Sequence, residues 1–199
     1  MKLYLSNISG VQPRHRDLLS PERLKKADRY KMPGDKKRCI AGGVMIRRIL
    51  GDTRITDNGR GKPVAANGTA FNLSHSGDWV LLAVGEGEVG CDIEYPKLVS
   101  YEKMGRIVFT ENELRLIKEA RDKMGEFFRL WTKKEALLKC IGDGFHRPAK
   151  SVDVSGNSIA DGNRVYYLKT IVFSDYVISV CAADSDFEID IEFIDLSKM

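Results

Sequence analysis

The chain reads as an α+β protein of two similar α/β halves, each a small antiparallel sheet packed with helices. Three observations predict this. DWVLLAV from Asp78 aligns with DYVISVC from Asp175, and CDIE ending at Glu94 aligns with IDIE ending at Glu192 after one extra residue. The chain therefore repeats with a period near half its length, and the halves are expected at 1–96 and 97–199. Apolar residues recur at helical spacing in some segments, while others are rich in the β-branched and aromatic residues of strands. At 199 residues, 43% hydrophobic and 30% charged, the chain can bury a substantial core and has a globular composition.

Ser20, Pro21 and Glu22 fit an N-cap, a first-turn proline and a first-turn acid, predicting a helix over 20–29. Ile40, Val44, Ile46, Ile49 and Leu50 form a stripe before Gly51, predicting a second helix from about Asp35 to Leu50. Residues 51–70 are rich in Gly, Asn, Asp and Thr and read as loop. FNLSHSG, the run WVLLAV, a tight GEGE connection and VGCDIE read as a strand hairpin. Thr110 before Glu111 and Glu113 is a capping pattern that opens a helix over 110–121. Phe127, Leu130, Trp131, Leu137, Leu138 and Ile141 make one stripe, so 126–141 is helical with Glu135 and Lys139 at its edge. VYYLKTIVF, DYVISVCAA and FEIDIEFI have strand composition.

No apolar run reaches the roughly 18 to 20 residues that span a bilayer, so no membrane association is expected. The N-terminus lacks the pattern of a signal peptide, which suggests a cytoplasmic protein. Cys39, Cys91, Cys140 and Cys181 are scattered singly and read as reduced core thiols. His15, His75 and His146 are too dispersed for a histidine-based metal site, so any metal needs oxygen ligands. The net charge is only +4, yet basic residues crowd the first fifty positions. Such a region suits a polyanion, or is a solvated helix face.

Asp92 and Glu94 lie two apart on a predicted strand, so both carboxylates face one side. Glu135 and Lys139 lie four apart on a helix and project from the same part of it, to act on one ligand or to form a simple salt bridge. Three carboxylates with nearby basic residues suit Mg²⁺ bound to a phosphate, with Mn²⁺ as an alternative metal. Metal and cations would take up charge developing on a diphosphate, and a carboxylate could deprotonate an attacking hydroxyl. His75 and its neighbouring hydroxyls stand in a small-residue loop where they could bond a phosphate, or the histidine is structural. Lys62 in GRGKPV has flexible surroundings but not a P-loop pattern. Asp190 and Glu192 repeat the carboxylate pair, but only the first copy has SHSG before it and a carboxylate-bearing helix after it.

VGCDIE, followed after about forty residues by WTKKEALLK, resembles the two-part signature of the 4′-phosphopantetheinyl transferase superfamily. GKP at 61–63, FNLSHSG at 71–77 and the SPER start with its basic helix are similar to the surfactin-synthetase-activating type. The resemblance covers most of residues 20 to 147. It implies a monomer of two halves related by a pseudo-twofold axis, with the active site at their interface.

It also implies transfer of the phosphopantetheine arm of coenzyme A to a serine of an acyl or peptidyl carrier protein. Adenosine 3′,5′-bisphosphate would be released. On this resemblance Asp92, Glu94 and Glu135 would hold Mg²⁺, with Asp92, Glu135 and Lys139 as the catalytic set. Glu135 or a metal-bound water would take the serine proton, and Lys139 would contact the phosphate in transfer. Ser74 and His75 would bind the diphosphate, Lys62 and Pro63 would border the adenine nucleotide, and Arg23, Lys26 and Arg38 would grip the 3′-phosphate. Arg23 stands where such sequences commonly carry lysine, and Asp28 adds an acid to the basic stretch. Carrier proteins are acidic near their serine, so Arg106, Arg115 and Arg121 are candidates to steer docking. Nucleic acid is not an expected partner. Two other readings use the same residues: a metal-dependent phosphodiesterase, which should carry a longer basic track, and a non-catalytic coenzyme A or carrier-binding module.

Overall fold

Helix α1 (Pro21–Arg29) begins where its cap predicts: the Ser20 side chain accepts a hydrogen bond from the Arg23 amide, and Pro21 opens the first turn. The structure is a computed structural model that describes residues 1–97, 101–143, 147–183 and 185–199. His146 lies outside the described residues. Helix α2 (Pro33–Leu50) starts two residues earlier than expected, because Pro33 takes the first turn, and it stops at Gly51. Helix α3 (Tyr101–Val108) is an addition to the sequence reading. Helix α4 (Glu111–Glu119) opens on a capping box in which Thr110 and Glu113 bond each other's backbone amides. Helix α5 (Lys123–Ile141) extends nearly one turn before the expected start, since Asp122 caps the Gly125 amide.

The strands are β1 (Lys2–Asn7), β2 (Ile55–Asp57), β3 (Pro63–Ala65), β4 (Ala70–Ser76), β5 (Trp79–Gly85), β6 (Val89–Glu94), β7 (Ser158–Asp161), β8 (Arg164–Phe173), β9 (Tyr176–Ala183) and β10 (Asp190–Phe193). They form two four-stranded sheets, in the orders β10-β1-β5-β4 and β6-β9-β8-β7, with β2 and β3 as a separate ribbon. The 51–70 segment is therefore more ordered than expected, carrying that short antiparallel pair. Among the described residues, the other pairings are antiparallel except β1 with β10.

The expected hairpin needs correction. WVLLAV pairs back onto β4 through the turn at Gly77 and Asp78, while VGCDIE leaves its neighbour and pairs with β9 of the other sheet. The matching strand of the repeat, β10, likewise leaves β9 and pairs with β1. Each repeat thus sends one strand into the other sheet, and the two sheets cannot separate without breaking strand pairs.

Leu3, Leu5, Leu81 and Ala83 of the first sheet pack on Cys91, Ile93, Ile178 and Val180 of the second. Helix α2 covers the outer face of the first sheet through Val44 and Met45 against Phe71, Val80 and Leu82. Helix α5 covers the second through Leu130, Leu137 and Cys140 against Leu168 and Cys181. The order of layers is helix, sheet, sheet, helix. All four cysteines are buried and free. No helix among the described residues is long and apolar enough to cross a membrane.

Candidate active site

Strand β6 is pressed between both halves. One edge pairs with β9; on the other, the amides of Cys91, Ile93 and Tyr95 donate to side chains of β4, namely Asn72 Oδ1 at 3.0 Å, Ser74 Oγ at 3.4 Å and Ser76 Oγ at 3.1 Å. The alternation Asn72, Ser74, Ser76 in FNLSHS places three polar groups on one face at strand spacing. They satisfy the backbone donors that a buried strand edge would otherwise leave unpaired. Cys91 and Ile93 face the apolar layer between the sheets. Asp92 and Glu94 turn the other way, as their spacing predicts.

The hydroxyls of β4 also bind those carboxylates. Ser74 Oγ donates to Asp92 Oδ1 at 2.8 Å, and Ser76 Oγ donates to Glu94 Oε2 at 2.7 Å. From α5, Lys139 Nζ reaches Asp92 Oδ1 at 2.6 Å and Ser74 Oγ at 3.2 Å. The ion pair of Lys139 therefore crosses to β6. Helix α5 comes this near because position 90 has no side chain: a Cβ there would stand 2.0 Å from the Ala136 carbonyl oxygen and 2.4 Å from the Cys140 amide nitrogen.

Electrostatically this is a desolvated, mixed-charge site. Burial raises the pKa of Glu135; Lys139 opposes that shift and Asp92 adds to it. Burial likewise raises Glu94, against the Ser76 hydrogen bond and with the help of Asp92. Burial disfavours the Lys139 ammonium, but Asp92 and the neighbouring anionic groups outweigh it and leave its pKa raised. Asp92 is 4% exposed, and its Oδ2 is buried without a hydrogen-bond partner. A buried polar oxygen so placed calls for a cation or another donor. Among the described residues, no three His, Cys, Asp or Glu side chains stand grouped to hold a metal ion as they are. Asp92, Glu94 and Glu135 carry the hard oxygen donors that Mg²⁺ takes, and Asp92 Oδ2 is unpartnered.

The remaining predicted residues border this centre unevenly. His75 is open to solvent, yet its pKa is lowered, first by partial desolvation and then by Arg38, Lys139 and Arg23. Arg38 donates to the Gly77 carbonyl at 2.6 Å and to Asp35 at 2.5 Å, so it is tied to the turn after SHS. That turn needs its glycine: φ is +52°, and a Cβ would meet the Tyr176 hydroxyl at 2.3 Å. Arg23 lies along α2, donating to the Cys39 carbonyl at 3.0 Å, and with the exposed Lys26 it lines a cavity of about 450 Å³ between α1 and the end of α2. Lys62 sits at the C-terminal end of α5, where its ammonium donates to the Cys140 carbonyl at 2.7 Å, and burial lowers its pKa. Asn58 donates to the Gly142 carbonyl at 3.0 Å and Arg60 pairs with Asp143, so this loop is tied there by three contacts. Pro63 follows as the first residue of β3.

Asp28, the acid in the basic stretch, accepts on its two oxygens from the Arg16 guanidinium at 2.9 and 3.0 Å and pairs with Lys36 at 2.8 Å, which lowers its pKa. It organises part of the basic region. Asp190 and Glu192 stand exposed on β10, with Lys2 Nζ 2.9 Å from Glu192 and 4.0 Å from Asp190. Sequence reasoning missed Ser76 as a Glu94 partner; its signal was the alternation of small polar residues along FNLSHS.

The family model of the 4′-phosphopantetheinyl transferase superfamily matches residues 88–181. The chain is 30% identical over 205 residues to the 4′-phosphopantetheinyl transferase Sfp of Bacillus subtilis, covering 94% of this chain and 92% of that protein. It is 30% identical over 196 residues to the 4′-phosphopantetheinyl transferase ffp of Bacillus subtilis, covering 88% and 87%. With the 4′-phosphopantetheinyl transferase HetI of Nostoc sp. it shares 36% identity over 143 residues, 63% of this chain and 60% of that one.

Proposed function

The chain belongs to the 4′-phosphopantetheinyl transferase superfamily, and from that premise we propose that it transfers the phosphopantetheine arm of coenzyme A to a carrier-protein serine. The observation that carries this reading is the meeting of β4, β6 and α5 at Ser74, Asp92 and Lys139, with Glu135 one turn before Lys139 on the same helix. In this proposal the serine oxygen attacks the phosphorus that bears the pantetheine arm. Its bond to the bridging oxygen breaks, and adenosine 3′,5′-bisphosphate leaves.

Glu135, whose raised pKa suits proton transfer nearer neutral pH, takes the serine proton. Lys139 is kept ammonium by Asp92 and meets the charge on the transferred phosphate, then donates a proton to the leaving oxygen. Ser74 and His75 receive the diphosphate side of coenzyme A, and Arg23, Lys26 and Arg38 its 3′-phosphate. Lys62 and Pro63 flank the adenine nucleotide. Mg²⁺ held by Asp92, Glu94 and Glu135 would neutralise charge on the diphosphate when bound. Arg106 on α3, Arg115 on α4 and Arg121 between α4 and α5 are exposed, which suits an acidic carrier. We take the acting form to be a monomer in the cytoplasm.

Release of adenosine 3′,5′-bisphosphate, followed by chromatography, tests the reaction class. Nucleotide should appear only when coenzyme A and an apo carrier are both present, cease with EDTA and return with excess Mg²⁺. Release from coenzyme A without a carrier would instead point to hydrolysis of the diphosphate.

A further inference from the structure

Three residues in WTKKE, Thr132, Lys133 and Lys134, have no part in the proposed chemistry, yet each is buried. Successive helical residues point about 100° apart, so the three leave α5 in different directions. Thr132 Oγ1 lies 2.8 Å from Ser179 Oγ, which lies 2.8 Å from Thr170 Oγ1; this hydroxyl chain joins α5 to β9 and β8. Lys133 Nζ donates to the Gly156 carbonyl at 2.6 Å and to Asn157 Oδ1 at 3.1 Å. Lys134 Nζ donates to the carbonyls of Val108 and Val152, at 3.1 and 3.0 Å, and to Glu113 Oε2 at 2.5 Å.

The Lys134 site is fully satisfied. All three ammonium donors are used, and Glu113 also accepts from the Thr110 and Val154 amides, each at 2.7 Å. Lys134 is 1% exposed and Glu113 0%. A buried ion pair is weak evidence for stability, since an apolar pair of similar volume often does as well. What such a pair supplies is a single permitted arrangement, because any shift of the helix leaves an ammonium unpaired in a dry interior. The sector left between these three directions belongs to Glu135.

We infer that Lys133 and Lys134 are positioning residues that lock the rotation and height of α5, and so set where Glu135 and Lys139 stand relative to Asp92. This rests on the transferase reading above. Neither lysine touches substrate; each acts through the helix that carries the reacting groups. Misplacement of such groups by about 1 Å can cost about 10²-fold in rate, so small helix shifts suffice.

The test compares Lys133→Met, Lys134→Met and the exposed-loop variant Asn157→Ala with wild type, each below its own Tm. Carrier modification gives kcat, and calorimetry gives the Kd for coenzyme A. For both lysine variants we expect kcat per folded molecule to fall at least about tenfold while Kd changes less than about threefold, and a smaller kcat loss for Asn157→Ala. Folded variants with wild-type kcat and a lower Tm alone would overturn positioning. If the lysine variants do not fold, Asn157→Ala decides: a kcat loss of about threefold or more with an unchanged Kd upholds positioning, and a wild-type kcat overturns it. An inactive wild type would count against the transferase reading instead. Trp131, one turn before Glu135 and stacked on Phe127 with ring centroids 5.9 Å apart, then reports helix position in a Trp79→Phe background. Emission and quenching unchanged by Lys133→Met would overturn the inference.

Discussion

Asp92→Ala should lower kcat/KM for carrier modification at least about 10³-fold, with the fold retained. Removing one preorganised charge-stabilising group typically costs 10²- to 10³-fold, and Asp92 carries two tasks. Its Oδ1 fixes Lys139 at 2.6 Å and receives Ser74 at 2.8 Å, while its unpartnered Oδ2 is the oxygen most in need of a cation. Alanine would free Lys139 to turn toward Glu135 and would remove one proposed metal ligand. Steady-state kinetics with wild type, Asp92→Ala and Asp190→Ala measure this. Asp190 is exposed and its contact is Lys2 at 4.0 Å, so its loss should leave kcat/KM within about twofold, as for ordinary surface substitutions. A reversed outcome would move the site to the second copy of the repeat.

Gly90→Ala should damage stability and catalysis together. The added carbon would stand 2.0 Å from the Ala136 carbonyl oxygen, 2.4 Å from the Cys140 amide nitrogen and 2.8 Å from the Cys140 Cβ. Two of these are backbone atoms of α5 and cannot rotate away, so strand and helix must part. Overpacking costs about 1–3 kcal/mol, and here the upper end is expected. For a domain of this size that is a Tm loss of roughly 6–12 °C. The same displacement carries Glu135 and Lys139 away from Asp92, so kcat should fall about tenfold or more even in folded protein. Calorimetry and kinetics on one preparation check both effects. A variant with wild-type Tm would refute the close approach of β6 to α5.

Much of the helical structure was legible because helices are local. Ser20, Thr110 and the α5 stripe each declare themselves within a few residues. Strand partnership is not local. VGCDIE follows WVLLAV through a short glycine-containing connection, yet its pairing is decided by β9, nearly ninety positions on, and by the β4 side chains that satisfy its other edge. Strand β1 went unnoticed for the same reason, since its partners β5 and β10 lie far along the chain.

In the site, the same-face relation of Asp92 and Glu94 followed from strand geometry, and Glu135 with Lys139 from helix geometry. The pairing of Lys139 with Asp92 did not, because it depends on how α5 lies across β6. Lys133 and Lys134 look like solvent-facing charges in sequence. Charged side chains are buried only when partners meet them, and those partners, Glu113, Val152 and residues 156–157, are about twenty positions distant.

The most direct measurement is intact-mass spectrometry of an apo carrier protein incubated with this protein, coenzyme A and Mg²⁺, alongside EDTA and Asp92→Ala controls. A mass gain of one phosphopantetheine on the carrier, absent from both controls, is the predicted result. An unmodified carrier across fatty-acid, polyketide and peptide-synthetase types, with coenzyme A bound but intact, would contradict the transferase assignment and leave a binding protein.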